Sequence, residues 1–204
     1  MARKPRKKPA QHRASRRAKK HGKTSRLPGY FQQPDELPAV ERLRPGRGYK
    51  HLLLQTDVID FLSLLPQYND LSQGLEEIIF APHREGTFGW HKPHAVAICA
   101  WDNYLWLTMD EGFIMDHEEL LDRLGVEREQ IPAPGVPSWE VRWTEDQARG
   151  FQLLGVLLEH LCLRRGQWGS ATEGDASLQK RYSQQYMDKH RQTIWDRYRD
   201  MFEY

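Results

Sequence analysis

The sequence predicts an α+β domain in which a small, mainly antiparallel sheet packs against a long central helix and a C-terminal helix. Three stretches carry that prediction. Short apolar runs rich in β-branched and aromatic residues, EIIFA, HAVAICAW and YLWLTM, lie between Glu77 and Met109. The stretch LLGVLLEHLCLRR, Leu153 to Arg165, belongs to a helix with apolar residues at helical spacing, and Ser177 to Phe202 reads as a second, aromatic-rich helix.

Along the chain, residues 1–26 hold twelve Lys and Arg and no Asp or Glu: Arg3, Lys4, Arg6, Lys7, Lys8, Arg13, Arg16, Arg17, Lys19, Lys20, Lys23 and Arg26. The other residues then carry 18 basic against 28 acidic side chains, so a cationic tail is joined to an acidic body. A segment of that composition has no apolar surface to bury and is expected to be disordered alone. Its charge density suits a phosphate backbone, but without interleaved aromatics it offers affinity and no sequence readout. The alternative is a solubilising arm that touches its own acidic domain. Residues 27–50, with LPGYF, QQPDELP and RPGRGY, read as a linker, and the domain is expected over 51–204.

In the domain, TDVIDFLSLL puts Val58, Phe61, Leu62 and Leu65 on one helical face and stops at Pro66. A short helix follows near Tyr68 to Gly74. The three apolar runs predict a small sheet with a hairpin turning at WDN, Trp101 to Asn103. Asp116 to Leu124 is a short amphipathic helix ended by Gly125, and after the loop IPAPGVPS the segment WEVRW alternates as a strand. Thr144 and Gln147 have capping-box spacing, with Glu145 and Asp146 in the first turn, so the central helix is expected from Thr144 to about Arg165. At 100° per residue Arg149, Gln152, Glu159, His160 and Arg164 share a polar side with Leu153, Val156 and Leu163, and the C-terminal helix is the expected cover for those aliphatics.

Composition narrows the class. An apolar fraction of 39% with seven Trp, eight Tyr and seven Phe supports a folded core. Cys99 and Cys162 lie in apolar runs and read as buried thiols in a reducing compartment. No signal-peptide core and no apolar run of roughly 18 residues stands in the sequence, which predicts a cytoplasmic protein without a membrane partner.

With LLGVLLEHLCLRR, EGDA and IWDRY in this order, the segment His51 to Phe202 resembles small bacterial zincin-type metallopeptidase-like proteins. That family's pattern is L-L-H-E-L-G-H-H, then a downstream G-E-x-x-A glutamate as third zinc ligand, then an I-W-D-R-Y helix. Matched by position, Glu159 stands at the first metal histidine and His160 at the general-base glutamate. Cys162 replaces the glycine, Leu163 replaces the second histidine, and Glu173 falls on the third ligand.

The resemblance implies a zincin-like fold with the catalyst lost, because activating water on zinc needs about three protein ligands and a leucine donates nothing. No cofactor is then expected. The function implied is a non-catalytic binding or scaffold module with a protein or peptide partner at the old cleft. Two other readings stand beside it: a nucleic-acid- or ribosome-associated protein acting through the basic tail, and an active zinc-dependent hydrolase with non-standard ligands. His83, His91 and His94 are candidates to gather around a metal, but their spacing matches no strong motif and they are expected as exposed loop histidines; His117 is expected as part of a surface helix end, and Cys162 as no partner for His160.

Overall fold

The computed structural model describes residues 37–132, 137–168 and 176–202. Two units divide the chain, Met1–Tyr30 and Phe31–Tyr204, and all described residues belong to the second. The basic residues of 1–26, whose charge suits a phosphate backbone, and the Glu173 ligand position therefore lie outside the described residues.

The architecture is α+β, but the strands form three sheets. The largest has the order β1 (Ala39–Arg42), β3 (Glu77–Ala81), β5 (Ala95–Cys99), β4 (Gly89–Lys92). In it β1, β3 and β5 run parallel, and only β4 is antiparallel to β5. The expectation of one mainly antiparallel sheet is corrected by this parallel core. The reason is visible in the residues: EIIFA and AVAIC are nearly continuous apolar runs, and β5 is buried at every position, as a strand covered on both faces requires.

The predicted hairpin at WDN does not form either. Trp101–Asp102 is β6 and pairs with β2 (Tyr49–Lys50), while β7 (Trp106–Asp110) joins the third sheet, order β7-β9-β8. There β9 (Ser138–Arg142) is the predicted WEVRW strand, flanked antiparallel by β7 and by β8 (Glu127–Ile131). Within the segment read as linker, β1 and β2 are thus integrated into sheets.

Helix α1 (Gln55–Leu64) begins where the Asp57 carboxylate accepts from the Leu54 N–H at 2.7 Å. The short α2 (Tyr68–Leu71) follows. Helix α3 (Glu111–Arg123) starts earlier than its amphipathic pattern suggested, because Asp110 caps it by accepting from the Phe113 N–H. The central helix runs through α4 (Glu145–Phe151), a π-helical segment (Gln152–Leu157) and α5 (Leu158–Trp168). Its capping box is present: the Gln147 N–H donates to Thr144 Oγ1 at 3.2 Å and the Thr144 N–H to Gln147 Oε1 at 2.8 Å. Arg149 reaches Asp57 at 2.8 Å, fixing the start of α1 to the central helix.

From Ala148 to Leu158 nearly every residue of this helix is buried. One side lies on β4 and β5, and the other is covered by α6 (Ala176–Phe202); of the aliphatics expected under α6, Leu163 shares a cleft with α6 residues, whereas Val156 packs against Gly89 of β4. Ile194, Trp195 and Tyr198 of IWDRY are buried in the same core, and Arg197 donates to the Leu64 carbonyl at 2.8 Å. No helix among the described residues is long and apolar enough to cross a membrane.

Candidate functional site

The central helix divides its polar residues between two places. On the side facing β4, His160 Nδ1 lies 3.0 Å from His91 Nδ1, and the Nε2 of His91 lies 2.9 Å from Gln179 Nε2 and 3.2 Å from Gln167 Oε1. Gly89 makes this approach possible: a Cβ there would sit 2.5 Å from Val156 Cγ1 and 2.7 Å from His160 Cδ2. Burial, then the neighbouring His91, pushes the His160 pKa down to about 4, although a hydrogen bond to the Gly89 backbone pulls the other way. Burial also lowers His91.

Arg164, nearly fully buried, donates to the carbonyls of Pro93 at 2.9 Å, Leu71 at 3.1 Å and Gln73 at 2.9 Å. Burial, with Arg165 beside it, lowers its pKa to about 10. Gln152 donates to the Cys99 carbonyl at 3.0 Å. The shared polar side is therefore no exposed stripe; most of it is interior and tied to the sheet.

On the other side a cleft of about 580 Å³ runs between α3, the central helix and α6. Glu159 and Leu163, one turn apart, both line it, with Gly155 a further turn back. Gly155 lets α3 come close, since a Cβ there would lie 3.0 Å from Leu120 Cδ2. Glu159 is exposed by area yet stands between protein walls. That burial raises its carboxyl pKa, opposed by His117 and reinforced by Asp116. The π-helical turn directly precedes these positions, a placement common at functional sites.

The histidines of the β3–β5 region do not gather. His83 stacks on Tyr49 with ring centroids 3.8 Å apart, and exposed His94 lies 3.7 Å from Glu76. His91, expected on an exposed loop, is instead half-buried on strand β4 as the partner of His160. His117, expected at a surface helix end, lines the cleft; its Nδ1 lies 2.9 Å from the Phe113 carbonyl and its ring stacks on Phe113. The signal was legible: Phe113, Ile114, His117, Leu120, Leu121 and Leu124 share one helical stripe. Cys99 and Cys162 are free and buried, and burial pushes the Cys162 thiol pKa up.

A zinc ion does not fit the donors described. Leu163 offers no lone pair, His160 is engaged away from the cleft, and no group of three His, Cys, Asp or Glu side chains suited to a metal occurs among the described residues. The fold and cleft thus define an α+β protein with an amphipathic groove along its central helix. Searches of family models, curated proteins and solved structures return no match.

Proposed function

We propose that this protein is a non-catalytic, zincin-like binding module that holds a segment of a partner protein in the cleft between α3, the central helix and α6. The observation that carries the reading is the division of positions 159, 160 and 163. The two that would hold a metal face the cleft as a carboxylate and a leucine, and the one that would serve as base is an imidazole turned to β4. Such a groove keeps shape and apolar contact for a peptide without means to cleave it. The two free, buried cysteines suit a reducing compartment such as the cytoplasm.

Panning a short-peptide display library on the full chain tests this. Enriched peptides are expected to lose about tenfold in affinity when Leu163→Trp fills the cleft, and to remain uncleaved with zinc added. Enrichment indifferent to Leu163→Trp overturns the reading, as does hydrolysis that tracks one zinc per chain. The second reading, nucleic-acid binding through residues 1–26, rests on their twelve cations. Deleting them should abolish salt-sensitive RNA or DNA binding; binding that survives moves the site elsewhere.

A further inference from the structure

The ionic groups of the cleft are unevenly matched. At one end Arg123 and Arg191 share Glu119, which leaves that end with one cation in excess. At the other end neither Glu159 nor Asp116 has a hydrogen bond or ion pair within the described residues, and Lys180, which lines the cleft from α6, is not within ion-pair distance of either. His117 stands beside them on α3. Its Nδ1 faces the Phe113 carbonyl at 2.9 Å, and because a carbonyl only accepts, that nitrogen carries a hydrogen, a bond that fixes the ring in the wall of the cleft. The wall next to these groups is aliphatic, made by Leu154, Leu158 and Leu163.

We propose that the cleft docks a lysine side chain of the partner segment, its ammonium meeting Glu159 and Asp116 and its methylene stem lying on Leu154, Leu158 and Leu163. This deepens the binding-module reading and rests on it. An ammonium carries its N–H donors on a compact head at the end of a four-carbon apolar stem, which matches two carboxylates on separate side chains beside an aliphatic wall. A guanidinium is a flat fork suited to gripping one carboxylate with two parallel bonds, a different arrangement. Glu159 also gains from the pairing. Its charge is held unfavourably between the cleft walls, and a bound cation relieves that burial.

Short peptide pools, random except for a fixed central lysine, arginine, norleucine or glutamate, provide the test when passed over the immobilised full chain. The lysine pool should be retained about tenfold more strongly than the norleucine pool, which has the same stem without the charge. Glu159→Gln should erase that preference, Asp116→Asn should reduce it, and Glu129→Gln, on the exposed β8 strand away from the cleft, should leave it intact. Equal retention of lysine and norleucine pools, both lost on Leu163→Trp, overturns the lysine assignment while leaving the binding-module reading in place. Retention of the lysine pool that ignores Leu163→Trp overturns both. A preference for arginine over lysine, or one that survives Glu159→Gln, overturns the ammonium site.

Discussion

The two sides of the central helix handle polarity in opposite ways. Towards the sheet, Gln152, His160 and Arg164 each meet a partner held by distant chain: the Cys99 carbonyl, the His91 ring, and three carbonyls from the α2–β3 and β4–β5 connections. Towards the cleft, Glu159 has walls and no hydrogen-bond partner among the described residues, and its neighbours one turn either way are a glycine and a leucine. The first side spends its polar groups on fixing loops to a helix. The second leaves a carboxylate available, which is tolerable because the cleft admits water, and this is why the functional reading rests there.

If that contrast is right, the largest effect falls on Arg164. Arg164→Met should lower stability by about 3 kcal/mol in urea denaturation, since three buried carbonyls lose their donor; a loss under about 1 kcal/mol would show that water replaces the guanidinium. Next comes the pH response of His160. Its folded pKa of about 4 lies below the ordinary value of 6.5, so the unfolded chain binds the proton first. The contribution is whole above pH 6.5 and is lost as pH falls towards about 4. Relative to His160→Leu, the natural protein should lose about 3 kcal/mol between pH 7 and pH 4. Parallel stability curves for the two would mean that the imidazole is solvated in solution.

Gly89→Ala should follow, at about 2 kcal/mol, because the new methyl meets Val156, His160 and the Ala97 carbonyl below 3 Å. Cleft substitutions come last. Glu159→Gln should shift stability by no more than about 0.5 kcal/mol, in the stabilising direction, since it removes a charge whose burial is unfavourable. A marked destabilisation there would mean that Glu159 has a structural partner and that the two sides are alike.

Periodicity carried what is local. The capping box at Thr144, the strand WEVRW and the helix from Ser177 follow from their own residues, and all three form. The sheet order is not local. Parallel pairing of β1, β3 and β5 joins segments separated by two helices or by another strand, and an apolar run reads alike whether its neighbour is parallel or antiparallel. The cleft was half legible: helical spacing put Glu159 and Leu163 a turn apart, but His117 was expected at a surface helix end, because its two glutamate neighbours outweighed the apolar stripe that turns it into the cleft. The partner of His160 was hidden because GWHK resembles a turn until the tight packing against Gly89 makes it an edge strand.

The widened turn at Gln152–Leu157 sets which residues of α5 look outward. Its backbone bonds reach five residues along the chain where those of an α-helix reach four, so it takes up one more residue than an α-helical turn over the same span. Removing one residue from it should let the turn close to α-helical geometry, with Glu159 and Leu163 still in the cleft and His160 still against β4. Adding one should crowd a turn that is already widened. Tolerance to changes in length is thus lopsided here, and a single-codon deletion between Gln152 and Leu157 is the change in length that this helix is built to absorb.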